Sequence, residues 1–232
     1  MLELSGITIR YGPFLAVDGI DLRVDEGEIV GVVGPNGAGK SSLVKAVGGI
    51  VKPGAGRIVF RSRDLSDVPV HERISLGISI VPEGRGLFPR MSVEENLLMG
   101  GYVLESAEQM AVNIERCFSL FPILAERRMQ AAGTLSGGQQ QMLAVALGLM
   151  SDPKLLVLDE PSLGLAPIVI GEIGRTLRTL RETGLTVLLI EQNARLTCSV
   201  AQRIYILADG VVRHHDTADR VMASPELLEH LI

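Results

Sequence analysis

Two hydrophobic rhythms divide the chain. Near its start, apolar residues alternate with polar ones at Leu2, Leu4, Ile7 and Ile9, then at Ile20, Leu22 and Val24, and again at Ile58 and Phe60. A period of two sets one face of a strand on a core and the other in water, so these segments predict half-buried antiparallel strands. Residues 29–33, 155–158 and 186–190 are instead short unbroken apolar runs. Strands covered on both faces read this way, which predicts a central parallel sheet. Between the runs, Ile173, Leu177 and Leu180 recur at helical spacing and predict a helix over 168–180. Asp209-Gly210, set between two apolar segments, predicts a tight hairpin. From about residue 87 to residue 130 the pattern is helical and contains no buried-strand run, as expected of a helical insertion into an α/β core.

Composition narrows the picture. With 232 residues, 47% of them hydrophobic, the chain can bury a substantial core. Its longest apolar stretches, 143–150 and 185–190, fall well short of the roughly 18 to 20 residues that span a bilayer. Residues 1–10 lack a basic start followed by an apolar core, so a cytoplasmic location is expected. The net charge of −5 is interspersed rather than blocked, and Trp is absent; neither favours a nucleic-acid surface. Cys117 and Cys198 have no C-x-x-C neighbour and read as reduced, buried thiols. The pair His214 and His215 lacks an accompanying ligand set and reads as a solvated strand end.

Three segments carry chemistry. Gly34-Pro35-Asn36-Gly37-Ala38-Gly39-Lys40-Ser41 fits G-x-x-x-x-G-K-[ST] directly after the run 29–33 and before a helix. The glycines let backbone N–H groups turn inward around phosphate oxygens, Lys40 sets a cation on the β- and γ-phosphates, and Ser41 offers a hard oxygen to Mg²⁺. The run 155–158 ends in Asp159-Glu160-Pro161, which brings two carboxylates to the end of a buried strand, where α/β sheets hold ligands. Asp159 is placed to orient Mg²⁺ and Glu160 to polarise an attacking water. In Leu135-Ser136-Gly137-Gly138-Gln139, Ser136 can cap an apolar helix while Gly137 and Gly138 expose donors at its positive end, a second phosphate site. Two phosphate sites and one catalytic centre suggest two chains paired head to tail.

In that order and at those distances the three segments resemble the nucleotide-binding subunits of ABC transporters over essentially the whole length. The resemblance implies an α/β fold: a P-loop NTPase (RecA-like) core with a parallel central sheet, an N-terminal antiparallel β-subdomain and an inserted helical subdomain. Residues 1–86 and 153–232 would form the β-subdomain and core, and about 87–152 the helical subdomain with the signature segment. It also implies ATP and Mg²⁺ as ligands, Tyr11 as the aromatic that stacks on adenine, a nucleotide stretch running on to Ser42, and Leu135 to Gln139 as the contact to ATP held by a second chain.

Departures from the general family pattern include Leu165, where Asp is common, Leu147, where most members have Arg, Met142, and two nearer the chemistry: Glu83 follows Val81-Pro82 where Gln is usual, and Gln192 replaces the usual switch histidine. An amide donates a hydrogen bond but carries no titratable proton. The segments 81–85, 88–96, 161–167 and 189–194 are similar to those of the smaller ATPase of branched-chain amino-acid importers, in which Glu and Gln also stand at these two places. That similarity assigns Glu83 to the metal and catalytic groups and Gln192 to the γ-phosphate. It further implies transmembrane permease subunits, a second ATPase subunit, identical or paralogous, and, indirectly, a periplasmic-type solute-binding protein. The chain would then sit on the inner face of the cell membrane through its permeases. Importers of urea or amides use very similar ATPases, and the lipopolysaccharide-export ATPase matches in length and pattern; Glu83 with Gln192 favours import. A soluble ABC ATPase of DNA repair or translation would need long coiled-coil insertions or two fused cassettes.

Overall fold

The computed structural model describes residues 1–224 and residue 227; residues 225, 226 and 228–232, the end of the expected core segment, lie outside the described residues. Strands β1 (Leu2–Tyr11), β2 (Phe14–Val24) and β3 (Ile29–Val33) lead into helix α1 (Lys40–Val47). Then come β4 (Ala55–Phe60), β5 (Arg63–Asp64), α2 (Val70–Ser75) and β6 (Ile78–Val81). Helices α3 (Val93–Gly100), α4 (Ala107–Leu120), α5 (Pro122–Glu126) and α6 (Gly137–Leu149) follow without an intervening strand. The chain closes through β7 (Leu155–Asp159), α7 (Pro167–Glu182), β8 (Thr186–Glu191), α8 (Ala194–Val200), β9 (Arg203–Ala208), β10 (Val211–Thr217) and α9 (Ala218–Ala223).

Among the described residues the strands make two sheets, a four-stranded one ordered β2-β1-β4-β5 and a six-stranded one ordered β10-β9-β3-β8-β7-β6. The first is antiparallel throughout, and in the second only the β10–β9 pair is antiparallel. This is the P-loop NTPase fold with an antiparallel N-terminal sheet. The expected alternation of β1 holds with one slip: Leu4 and Ile7 are three apart, and the ladder shifts register between them at Gly6, whose φ is 59°. A bulge there keeps both residues on the core face. The unbroken apolar runs are explained by two separate clusters. Ile29, Val33, Leu156, Leu158, Val187 and Leu189 pack with the α6 and α7 side, whereas Val30, Val32, Leu155, Val157, Leu188 and Ile190 pack with α1 and the antiparallel sheet. Both faces of the central strands are therefore dry.

Other sequence expectations shift in detail. The helix expected over 168–180 runs from Pro167 to Glu182, and the hairpin turns at Asp209 and Gly210, both at positive φ. His214 and His215 lie within β10 rather than beyond a strand, and His215 stacks on Tyr205 with ring centroids 5.2 Å apart. Cys117 is buried, which pushes its thiol up to about 12, while Cys198 is only half-buried; both are free. Among the described residues no helix is long and apolar enough to cross a membrane.

One structural residue had no sequence signal. Arg73 on α2 is 6% exposed, and its guanidinium donates to the carbonyls of Val68, Leu65, Ala46 and Val47. The last two close the final turn of α1, where a cation is favoured; Ala46 also accepts the Gly49 N–H, whereas Val47 has no backbone donor. Gly49 makes room for it, since a Cβ there would come within 2.7 Å of Arg73 Nε. Truncation would leave the Val47 and Val68 carbonyls without a donor, whereas Leu65 still accepts the Val68 N–H and Ala46 the Gly49 N–H. We expect Arg73→Met to lower folding stability by about 3 kcal/mol, read as a shift of the urea midpoint at unchanged slope.

Candidate nucleotide site

The phosphate loop links the carboxyl end of β3 to α1. Gly34 is required by contact rather than by dihedral angle, because a Cβ would stand 2.1 Å from the Leu207 carbonyl oxygen of β9. Gly39, the residue before α1, has φ of 100° and would bring a Cβ within 2.5 Å of the Ala16 carbonyl oxygen. Only glycine satisfies both constraints. Helix α1 has no side-chain cap and no acidic residue in its first turn, which leaves its amide donors and positive end to an anion. Pro35, Asn36 and Gly37 are exposed, Ala38 is buried, and Ser41 and Ser42 are half-buried on the helix.

Lys40 is 4% exposed, and its Nζ donates to the carbonyls of Gly34 at 2.6 Å and Pro35 at 3.1 Å. It also lies 3.0 Å from Glu160 Oε1, so the phosphate loop and the end of β7 are joined by a buried ion pair. Glu160 occupies the left-handed region at φ 51°, with its N–H on the Ile190 carbonyl and its Oε2 accepting the Gln192 N–H at 3.1 Å. A non-glycine residue there is strained, and such strain concentrates where a side chain must be aimed. Ser41 Oγ donates to Asp159 Oδ1 at 3.4 Å. Burial pushes the Asp159 carboxyl up to about 6, with the Glu160 and Glu83 charges adding and the Ser41 hydrogen bond opposing.

Two hard oxygens, Ser41 Oγ and Asp159 Oδ1, thus converge beside the loop, with the exposed Glu83 carboxylate in electrostatic reach. Among the described residues no group of three His, Cys, Asp or Glu side chains could hold an ion by itself. This donor set fits Mg²⁺, which takes one or two protein oxygens and completes its shell with phosphate and water.

Other expected residues lie farther out. Ser136 caps α6 in a reciprocal capping box with Gln139, and Gly138 is held against Val169 of α7, which a Cβ would meet at 2.8 Å. Gly137 is exposed, Leu135 is buried, and the hydrogen bonds of Ser136 and Gln139 are made with each other rather than with the phosphate loop. The loop after Glu83 reaches this helix through Arg85, which donates to Gln140 at 2.6 Å. Tyr11 ends β1 opposite Phe14, 41% and 62% exposed respectively. Phe14 was not singled out from sequence. It stands two residues before Ala16, whose carbonyl oxygen lies close to Gly39, and its adjacency to Tyr11 was the available signal.

Glu191 was also missed. It ends β8 fully buried; Oε1 accepts the Ser162 N–H at 2.9 Å, and Oε2 accepts the Ser162 hydroxyl at 2.8 Å and the Asn193 N–H at 3.2 Å. Burial pushes it up to about 7 against those hydrogen bonds, with the Glu160 charge adding. An acid closing an otherwise apolar run was the sequence clue. A hollow of about 660 Å³ borders Ser136, Gln139, Met142 and Glu172, and no residue of the phosphate loop lines it. A ring of backbone amides holds an anion at a surface, with no deep cavity needed.

Comparison with known proteins shows the family to which the chain belongs. The family model described as ABC transporter matches residues 17–163. The chain is 43% identical over 98% of its length to the high-affinity branched-chain amino acid transport ATP-binding protein BraG of Pseudomonas aeruginosa, covering 97% of that protein. It is 36% identical over 95% of its length to the lipopolysaccharide export system ATP-binding protein LptB of Escherichia coli, covering 92% of it. A crystal structure of a nucleotide-free ATP-binding cassette from an ABC transporter superposes with a TM-score of 0.87 at 26% identity, over 100% of this chain and 98% of that one. A dimeric post-hydrolysis cassette bound to ADP and Pi gives 0.82 at 26% identity, over 94% of this chain and 99% of that one.

The Asp159 carboxyl stands above its ordinary value of 3.8, so its ionisation is resisted in the folded chain. Its contribution to stability is whole below about pH 4 and is lost as pH rises through about 6. Asn keeps an acceptor for Ser41 and does not ionise. Without added metal, Asp159→Asn should raise the melting temperature by a few degrees at about pH 8, with the gap closing by about pH 5.

Proposed function

The chain belongs to the ABC transporter family as an ATP-hydrolysing cassette, and on that premise we propose that it powers the uptake of amino acids, branched-chain ones first. The reading is supported by 43% identity to a branched-chain amino acid transport ATP-binding protein along nearly the whole of both chains. Glu83 and Gln192 favour it over lipopolysaccharide export.

In the proposed site the backbone N–H groups within residues 34–42, Pro35 excepted, cradle the phosphates, and Tyr11 stacks on adenine. Lys40 turns from Glu160 to the β- and γ-phosphates as the triphosphate seats, because a charged phosphate outbids a carboxylate already shared with the Gln192 N–H. Glu160, freed on one side but still aimed by its strained backbone and by Gln192, polarises the water in line with the γ-phosphate. Ser41, Asp159 and Glu83 are the residues that would hold Mg²⁺, which supplies charge neutralisation on the phosphates when bound. Gln192 donates from its amide to the γ-phosphate and takes no proton.

Residues 135–139 serve a nucleotide held mainly by a second ATPase chain, identical or paralogous. The exposed Ser136 and Gly137, pointing at no group of their own phosphate loop, support that division. Permease subunits dock on the 87–152 segment. A groove lined by Arg90, Glu94, Glu95, Leu98 and Met129 supports this, with Met129 79% exposed and Leu98 41% exposed. Docking there would hold the chain on the inner face of the membrane, with a solute-binding protein engaged across it.

Glu160→Gln should cut ATP turnover by at least about a hundredfold while ATP affinity stays within about threefold. Unchanged turnover would remove Glu160 from its role. In cells with this variant as their sole copy, uptake of labelled leucine, isoleucine and valine should fall to the level of a deletion strain; undiminished uptake would reject the amino-acid assignment.

A further inference from the structure

Fully buried carboxylates are expensive, and Glu191 is one that the hydrolytic scheme above leaves without a task. Its surroundings describe a clasp between two strand ends. From β8, the Glu191 carboxylate takes both the N–H and the hydroxyl of Ser162, two residues beyond Glu160. From β7, the Glu160 carboxylate takes the N–H of Gln192, the residue after Glu191. Each strand end thus offers an acid to the other's following residue, and the Glu160 N–H on the Ile190 carbonyl closes the ring. A third donor, the Asn193 N–H, ties Glu191 to the start of α8, where the Asn193 side chain caps Leu196.

We propose that Glu191 is a positioning residue for ATP hydrolysis: by gripping Ser162 it fixes where Glu160 points and the direction in which the loop 162–166 leaves the site. The inference rests on the reading of Glu160 given above. Glu191 touches neither phosphate nor water and acts through its neighbours. Ser162 is itself 6% exposed, and the loop beyond it turns through Gly164, at φ 70°, before α7 begins at Pro167. Leu163 on the loop and Ile168 in the first turn of α7 are 49% and 74% exposed. An anchor at Ser162 therefore sets both the catalytic carboxylate on one side and an exposed apolar edge on the other.

A purely structural joint could be built with a neutral amide. Glutamine in place of Glu191 could accept from Ser162 at one oxygen, but its NH₂ group would face the remaining donors and repel them. The carboxylate accepts all three at once, and only when ionised. The charged group set against it is Glu160 from the end of β7, itself paired with Lys40 of the phosphate loop; the loop 162–166 and α8 present the dipoles of Ser162 and Asn193. With its carboxyl pushed up to about 7, protonation removes an acceptor within the range where enzymes operate. Turnover should then weaken on the acid side and recover as Glu191 ionises.

The test is steady-state ATP turnover by the full chain from about pH 5.5 to about pH 9, with ATP affinity and thermal unfolding followed in parallel. Glu191→Gln should lower kcat about tenfold at about pH 8, leave KM within about twofold, and erase or displace the acid limb near neutrality. Wild-type kcat with a wild-type pH profile in Glu191→Gln would overturn the proposal. So would a loss of turnover explained entirely by weaker ATP binding. Should Glu191→Gln fail to fold, Ser162→Ala and Ser162→Thr decide. The first removes the hydroxyl donor and should slow turnover several-fold, and the second keeps it and should restore most of the rate. Equal rates in both would reject the clasp. Glu160→Gln, assayed alongside, separates the two readings, since its full activity would fail the catalytic role of Glu160 whatever Glu191 does.

Discussion

The buried ion pair between Lys40 and Glu160 is the interaction on which the site depends. The two residues are 120 positions apart in the chain, and both side chains are withdrawn from water. Desolvating two charges costs several kcal/mol for each, and the cost is met only because further hydrogen bonds complete their shells. Lys40 has the carbonyls of Gly34 and Pro35, and Glu160 has the N–H of Gln192. The pair can form because β3, β8 and β7 lie side by side and parallel, so their carboxyl ends finish at one edge of the sheet. Sheet order is therefore the first determinant of chemistry in this molecule. In the proposed site a triphosphate divides this pair as it seats, so the same contact would serve both as a support and as a sensor.

Much of this was legible in the amino-acid sequence because the controlling signals are local. Unbroken apolar runs report strands dry on both faces, and 29–33, 155–158 and 186–190 all fall in the central sheet. The glycines of the phosphate loop, the serine that caps α6 and the acids after β7 announce themselves by spacing. Their side chains and backbones act within a few residues of where they stand. Even the slip from Leu4 to Ile7, which breaks a strict alternation, has a local cause in the bulge at Gly6.

What escaped the sequence depends on contacts across long separations. Arg73 looks like any surface arginine on a short helix until α1 and the loop before α2 close around it. Glu191 reads as the polar end of a strand, and only the neighbouring strand reveals that it grips Ser162. Strand β6, four residues long and with Ser79 in its middle, is too short for its pattern to be distinctive, although it forms the edge next to β7. For Arg73 and Glu191 the residue type was visible, but the partners that give it meaning were not.

The division of the interior into two clusters, one on each face of the central sheet, has a consequence for how this chain tolerates change. Consecutive residues such as Val32 and Val33 belong to different clusters, whereas Val33 and Leu158, far apart along the chain, belong to the same one. Packing defects couple through shared neighbours and add simply when they share none. Sequence proximity is therefore a poor guide to epistasis within these strands. Compensating changes should be sought on the same side of the sheet, so that two interleaved lineages of side chains can drift almost independently along a single backbone.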